Sequence, residues 1–222
     1  MPSFFAQREG GRAVIVGGDA RHLARSLRAR VGEDVEVIDP NGFLLTVRLD
    51  KVSLDRVEGV VVAEREHNPE PDAHITIAIA QLPAPGLELV LSRCTEAGAY
   101  AFHVMQADRS VARGAKVERW NTICREAAML AGRLRVPSVS GPSTTDEVVT
   151  TAENPVMLVR GANVDLADLA EPRDLTLLVG PEGGWSDREL ALVEIKAGLG
   201  PRNLRADTAA LVALAVALAQ RR

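Results

Sequence analysis

Hydrophobic residues along the chain follow two rhythms, and the change from one to the other divides it. Before residue 65 they come as short β-branched and leucine runs, at Ala13–Val16, Val35–Ile38, Phe43–Val47 and Val57–Ala63. Such runs read as strands, and Asp39-Pro40-Asn41-Gly42 between the second and third is the turn chemistry of a hairpin. A short helix is expected over Asp19–Arg30, with Asp19 at its start. Its Arg21, Arg25 and Arg28 would recur at helical spacing on one face, with Arg30 near the end. From His74 onward, apolar runs at Ile75–Ala80, Ala101–Met105, Asn154–Val159 and Leu175–Val179 alternate with helical stretches at Gly86–Ala97 and Lys116–Leu134. That alternation predicts an α/β unit with a mainly parallel sheet covered on both faces. Glu64–Asp72, polar, charged and broken by two prolines, separates the rhythms and reads as a linker. The expected domains are therefore residues 1–68, β-rich, and 69–222, α/β.

The chain's most informative stretch runs from Leu175 to Leu218. The apolar run Leu175–Val179 ends at Gly180-Pro181-Glu182-Gly183-Gly184, and Ser186 with Glu189 three residues later is a capping box that starts a helix. Without a Cβ, Gly180, Gly183 and Gly184 are free to adopt left-handed backbone conformations and to let a ligand approach the main chain. Strand, glycine turn and capped helix is the layout of a small-molecule site in an open α/β sheet. A second glycine turn, Leu199-Gly200, precedes a closing helix over Ala206–Gln220 that is apolar nearly all round. Its stripes are Leu211, Leu214, Ala215 and Leu218 on one side and Val212, Val216 and Ala219 on another. Two apolar faces need two partners, and a second copy of the chain is expected beside the sheet itself.

Composition narrows the class. The 222 residues carry 26 basic and 30 acidic side chains, a net charge of -4, which excludes a polybasic nucleic-acid coat and leaves room for local basic patches. Aromatics are 3% of residues, so rows of rings stacking on bases are not expected. Cys94 and Cys124 are the only cysteines, and they and the four histidines lack metal-ligand spacing; no metal is expected. The opening residues lack a signal-peptide pattern, and the closing helix is too short for a bilayer and carries Asp207, so a cytoplasmic protein without a membrane segment is expected.

Two motifs at matching separation carry a family likeness. Leu178-Val179-Gly180-Pro181-Glu182-Gly183-Gly184-Trp185-Ser186 with Glu189, and Leu199-Gly200-Pro201-Arg202-Asn203-Leu204-Arg205-Ala206-Asp207-Thr208-Ala209, resemble the C-terminal signature of the bacterial 16S ribosomal RNA uridine-N3 methyltransferases, members of the SPOUT superfamily. Weaker similarity extends over Leu91–Ala99, Asp108-Arg109-Ser110, Arg119-Trp120, Glu126–Ala128 through Arg133 to Pro137, and His22 with Leu27-Arg28. The resemblance implies a PUA-like β-barrel RNA-binding domain followed by a SPOUT methyltransferase domain whose C-terminal segment is threaded into a trefoil knot. It also implies a homodimer acting on 16S ribosomal RNA or the small ribosomal subunit, with S-adenosylmethionine held in the knot loops.

Site residues follow from the same likeness. The cofactor falls to Gly161, Val179, Gly180, Pro181, Glu182, Gly183, Gly184, Leu199, Gly200 and Leu204. The imide nitrogen of uridine is a poor nucleophile until its proton is lost. Arg205 stays protonated and cannot be the base, but it can offer a fixed pair of donors to the developing anion. Glu182 and Asp207 are the nearby carboxylates able to take the proton or orient the base, and either could instead serve a helix start. Arg21, Arg25, Arg28, Arg93, Arg109, Arg119 and Arg133 are candidates for RNA phosphates, against the plain reading of solvated surface arginine. The chain departs from the family pattern at Asn203, Ala206 and Asp207, at Leu130 where a glutamine is usual, and around Ala84-Pro85 where a lysine is usual. Two readings therefore stay beside the first: a SPOUT enzyme acting on tRNA or a ribose 2′-hydroxyl, and a non-catalytic RNA-binding assembly factor. A nucleotide-binding Rossmann domain is disfavoured because no acidic residue follows the glycine turn at the required distance.

Overall fold

The computed structural model describes residues 3–169 and 174–220. The chain forms two compact units, Met1–Glu70 with Ala128–Arg135, and Pro71–Ala127 with Val136–Arg222.

The first unit is a six-stranded sheet of β1 (Phe4–Phe5), β2 (Gln7–Glu9), β3 (Arg12–Val16), β4 (Asp34–Asp39), β5 (Phe43–Val52) and β6 (Arg56–Glu66), in the order β1-β4-β5-β6-β3-β2. β1 and β2 are the two edges of this sheet, yet only Ala6 separates them in sequence. Consecutive Cα atoms are ~3.8 Å apart, so the sheet must curl until its edges nearly meet. Alternate residues fill the interior: Val35 and Val37, Leu45, Val47 and Leu49, and Ala13 and Ile15 share one core with Phe4, Leu23 and Val57. The Asp39–Gly42 turn joins β4 to β5 with Asp39 opposite Phe43, and Asn41 donates backbone and side-chain N–H bonds to Asp39 Oδ1. β6 continues to Glu66, which pairs opposite Phe43, so three residues assigned to the linker by composition are strand.

The expected helix over 19–30 is shorter and irregular. Helix α1 (Gly17–Arg21) passes into a π-type turn over His22–Ser26, and Arg28 takes a left-handed φ of 55°. Asp19 sits inside α1, buried, and the helix start at Val16 has no side-chain cap. The three arginines therefore do not share one helical face.

The second unit holds a six-stranded sheet in which every pairing is parallel: β7 (Ile75–Ala80), β8 (Ala101–Gln106), β9 (Ser138–Thr144), β10 (Pro155–Leu158), β11 (Leu175–Val179) and β12 (Ile195–Ala197), ordered β12-β10-β11-β7-β8-β9. Period-two alternation sends Ile75, Ile77 and Ile79 into one core and Ala78 and Ala80 into another. β11 divides the same way, with Leu175, Leu177 and Val179 on one face and Leu178 on the other. Helices α2 (Ala84–Ala97), α3 (Val117–Ala131) and α6 (Ala206–Ala219) contribute to the first of these cores, α4 (Thr145–Thr151) and α5 (Asp187–Leu190) to the second. α6 packs on α2, β7 and β11 through Ala206, Ala210, Ala213, Leu214 and Ala217. The buried line is thus an alanine line. Of the two stripes expected, only Leu214 is fully buried; Leu211, Val212, Val216 and Leu218 are half-buried and Ala215 and Ala219 exposed.

After β12 the chain runs alongside the loop that follows β10. Gly198 N donates to Val164 O, Leu166 N donates to Gly198 O, and Gly200 N reaches Asp165 Oδ1 at 3.2 Å. Two loops, one after β11 and one after β12, are thereby brought to the same carboxyl end of the sheet.

Candidate functional site

The first loop leaves β11 in the middle of the sheet. Of its three glycines only Gly184 has a positive φ, +72°, closing a turn in which its N–H donates to Pro181 O at 2.9 Å. The other two do not use the left-handed freedom open to them and sit instead where side chains crowd them. A Cβ on Gly180 would stand 2.8 Å from the Trp185 ring, and one on Gly183 would stand 3.3 Å from Arg109 Cβ. The loop folds back over its own tryptophan, whose Nε1 donates to Leu158 O at 3.0 Å, tying the loop to the end of β10.

Behind this turn lies a built anchor. The capping box read from the sequence is present: Ser186 Oγ accepts from Glu189 N and Glu189 returns to Ser186 N. Glu189 does more than cap. It is fully buried, and its Oε1 accepts from Thr145 Oγ1 at 2.7 Å and from Asp108 N at 3.1 Å. A buried carboxylate is tolerated because every oxygen finds a donor. Beside it Arg188 bridges Asp108 and Asp146, and Ser186 donates to Asp108 Oδ2. The Arg188 guanidinium, then the Ser186 hydroxyl, hold the Asp108 carboxyl below its ordinary range, and the two carboxylates raise Arg188 in turn. On the other side Arg109 Nη1 donates to Gly183 O at 3.0 Å. The loop is thus pinned to the segments that follow β8, β9 and β10.

The second loop, residues 198–205, is held more lightly. Pro201, Arg202, Asn203 and Arg205 are exposed, and Leu204 is half-buried. Arg205 is the residue before α6, its side chain 74% exposed, with Nη2 3.1 Å from Asp207 Oδ2. Asp207 Oδ1 accepts from Thr208, so both of its oxygens are engaged. This carboxylate steadies Arg205 and is not the N-cap, whose side chain makes no capping bond.

Between the loops lies a cleft of about 650 Å³. Val179, Gly180, Pro181, Glu182, Gly183, Gly184, Leu199, Gly200 and Leu204, all singled out from the sequence, line it, as do Arg205 and Glu182 of the proposed chemistry. Asp207 does not reach the lining and enters through Arg205. Gly161 lines a neighbouring cavity of about 400 Å³ and not the cleft. Its neighbour Arg160 does line the cleft, so the Arg160-Gly161 loop reaches it as the family likeness implies, and so do Arg202 and Asn203 of the second loop, with Leu158 and Trp185 beside them. Trp185 could have been found from its place in the glycine motif. Volume, glycine-bounded main chain and apolar Val179, Leu199, Leu204 and Ala209 suit an adenosyl-sized ligand. Glu182 is exposed, with no hydrogen bond or ion pair among the described residues.

The seven arginines assigned to RNA do not come together as one set. Arg109 lies against the first loop as described, whereas Arg93 pairs with Glu96 at 3.0 Å and Arg119 with Glu88 at 3.1 Å. Arg119 thereby depresses the Glu88 carboxyl. In the first unit Arg21 reaches Asp55 at 3.4 Å, and Arg25 and Arg28 are exposed. Arg133 differs from the surface role expected of it. Its side chain is 3% exposed, with its guanidinium on Glu70, whose other oxygen accepts from Leu134 N. It fastens residues 128–135 to the chain leaving β6. Cys94 and Cys124 are buried, and burial, then the second thiol, pushes Cys94 up to about 12. Among the described residues, no group of three metal-ligating side chains forms and no helix is long and apolar enough to cross a membrane.

Two family models match the chain, in successive segments. The RNA methyltransferase domain family matches residues 68–218, and the RNA methyltransferase PUA domain family matches residues 16–62. A Synechocystis protein named ribosomal RNA small subunit methyltransferase E is 33% identical over 87% of this chain and 68% of its own length. Its namesake from Mycobacterium bovis is 33% identical over 92% of this chain and 85% of its own length. A ribosomal RNA small subunit methyltransferase E from Neisseria gonorrhoeae, solved bound to S-adenosyl methionine, superposes with a TM-score of 0.86 at 27% identity over 97% of this chain and 95% of that one. An RNA 2′-O ribose methyltransferase superposes with a TM-score of 0.51 at 20% identity, a likeness of fold alone.

Proposed function

The chain belongs to the RNA methyltransferase family with the ribosomal RNA small subunit methyltransferases E, and from that premise we propose that it transfers the methyl group of S-adenosylmethionine to N3 of a uridine in 16S ribosomal RNA. Its α/β domain is of the SPOUT type, preceded by a PUA-like domain, and it is an S-adenosylmethionine-dependent methyltransferase. The observation that carries the reading is the cleft between the two glycine loops, lined by the family's own C-terminal motifs.

When bound, S-adenosylmethionine supplies an electrophilic methyl on a sulfonium. The main chain of Gly180–Gly184 and of Leu199–Leu204 would hold it, with Val179, Leu199, Leu204 and Ala209 covering its apolar parts. Arg205 lies on the same cleft with its guanidinium steadied by Asp207, and we assign it the uracil carbonyls. Two N–H donors fixed there stabilise the anion that forms as N3 loses its proton, a contribution of a few kcal/mol in a closed site. Glu182, an exposed carboxylate on the opposite wall, accepts that proton. Asp207, with both oxygens engaged, acts by orienting Arg205.

Arg21, Arg25, Arg28, Arg93, Arg109 and Arg119 are proposed to serve the RNA backbone, the paired ones by exchanging a carboxylate for a phosphate. We propose a division of labour at residue 68 between RNA binding and catalysis. The knot is proposed on the hydrogen-bonded run of residues 198–200 beside the loop after β10. A homodimer is proposed on the half-buried Val212 and Val216 and the exposed Ala215 of α6. Light scattering at micromolar concentration is expected to give twice the chain mass, and a monomer would remove the dimer. A cytoplasmic setting beside ribosomes completes the reading.

Calorimetric titration with S-adenosylmethionine, paired with transfer of a labelled methyl group to small-subunit RNA, tests the proposal. Binding and transfer are expected together. Binding without transfer would favour an assembly factor, and a folded protein that binds no S-adenosylmethionine would overturn the enzyme.

A further inference from the structure

Three arginines and one carboxylate, Arg160, Arg202, Arg205 and Glu182, supply the charge on the cleft wall of a chain whose net charge is -4. Arg205 is committed to Asp207 and, on the reading above, to the uracil. Arg160 and Arg202 are exposed, come from different loops, and have no hydrogen bond or ion pair among the described residues. By contrast, Arg93, Arg119 and Arg188 of the same unit are each drawn onto carboxylates. The Arg202 guanidinium folds back over its own loop, with Nη2 3.6 Å from where a Cβ on Gly200 would stand. It thus lies along the cleft wall as an exposed, unpaired guanidinium among the described residues.

Their positive charge does not suit the methyl donor. S-adenosylmethionine carries a sulfonium and an ammonium against one carboxylate, so it is cationic overall, and a wall of guanidinium groups repels it everywhere except at that carboxylate. A nucleotide that places its base in the cleft instead leaves its two flanking phosphates at the rim. Guanidinium groups bind phosphate oxygens through paired N–H donors, and such contacts fix position without reading sequence. We propose that Arg160 and Arg202 form a phosphate clamp on the rim of the cleft, seating the RNA backbone on either side of the target nucleotide. The clamp rests on the methyltransferase reading and adds two residues, from separate loops, to the RNA-contacting set. It also gives the second loop a role in substrate seating besides its share of the cofactor site.

The test is a salt titration of binding between the whole protein and a transcript of small-subunit ribosomal RNA, read by fluorescence anisotropy, for wild type, Arg160→Gln/Arg202→Gln and Arg160→Lys/Arg202→Lys. Loss of two phosphate contacts is expected to make the slope of log affinity against log salt shallower by about 1.4, at about 0.7 per contact with single-stranded RNA. The lysine pair is expected to restore most of that slope, since it keeps the charge. Affinity for S-adenosylmethionine by calorimetry is expected to stay within about two-fold of wild type in all three. An unchanged salt slope in the glutamine pair overturns the clamp. So does a collapse of S-adenosylmethionine binding with RNA binding intact, which would place the arginines on the donor's carboxylate. Wild-type protein that binds neither ligand overturns the underlying methyltransferase reading, a different result from either.

Discussion

The two loops that face each other across the cleft are built on opposite plans. The Gly180–Gly184 loop is braced from below. Trp185 fills the space under Gly180, Arg109 holds Gly183 O, and the buried Glu189 gathers donors from Thr145, Asp108 and Ser186. The 198–205 loop rests on two main-chain bonds and one bond to Asp165 Oδ1, all to the loop after β10, and presents exposed Arg202, Asn203 and Arg205. A wall that must hold a small ligand in one pose benefits from preorganisation, because ordering paid in folding is not paid again on binding. A wall that must receive a large flexible polyanion needs charge and reach. On this difference we propose that the methyl donor lies chiefly against the first loop and the RNA chiefly against the second.

The contrast breaks most visibly at Gly180. Gly180→Val forces the Trp185 ring away, and S-adenosylmethionine affinity is expected to fall by at least about 100-fold, on the order of 3 kcal/mol. Calorimetry on variant protein with a native circular-dichroism spectrum reads it, and near-normal binding would show that the braced loop is not the cradle. Next comes Glu189→Ala, which leaves buried donors at Thr145, Asp108 and Ser186 without an acceptor and is expected to cost about 2–3 kcal/mol of stability in urea. Asn203→Ala on the other loop should stay within about 0.5 kcal/mol of wild type. Equal losses at both positions would erase the distinction between the walls.

Smaller effects sharpen it. Arg205→Gln is expected to slow methyl transfer by roughly 10–100-fold while leaving S-adenosylmethionine affinity near wild type, because the lost donors act on charge that develops during reaction. Single-turnover rates measure this, and a parallel loss of cofactor affinity would move Arg205 to the donor's side. Trp185→Phe removes the bond to Leu158 O and should cost about 1 kcal/mol, seen as a lower urea midpoint. The smallest effect is one of pH. Asp108 is held below its ordinary value of 3.8, so the unfolded chain takes up this proton first as acid is added. The stabilisation is therefore present above 3.8 and lost as pH falls through the lowered value, and Asp108→Asn should flatten that limb of the urea midpoint against pH.

How much of this was legible in the sequence depended on how local the cause was. Ile75–Ala80 and Leu175–Val179 match their strands residue for residue, because strands buried on both faces read as near-continuous apolar runs, broken here only by Thr76 and Thr176. Ser138–Thr144 is a strand with almost no apolar signal; it sits at the sheet's edge, where one partner suffices. β1, β2 and β12 were missed because two or three residues carry no period. The Ser186–Glu189 capping box was visible at its own spacing, but the bonds from Glu189 to Thr145 and Asp108 join residues far apart in sequence. Arg133 was misjudged for the same reason, since its partner Glu70 lies on another part of the chain. The loops of Arg160 and Arg202 come to the cleft as the family likeness implies, but nothing local marks their guanidinium groups as unpaired there. Contacts within a motif were readable, and contacts assembled by the fold between distant residues were not.

The central claim is that this cleft directs a methyl group to N3 of a uridine. The most direct measurement is mass mapping of small-subunit RNA after reaction with wild-type protein and isotopically labelled S-adenosylmethionine, nucleoside by nucleoside. Uridine-N3 chemistry predicts one labelled methyl, on the uracil ring at N3 and at a single position. A labelled methyl on a ribose 2′-oxygen, on another base, or scattered over many positions would contradict it.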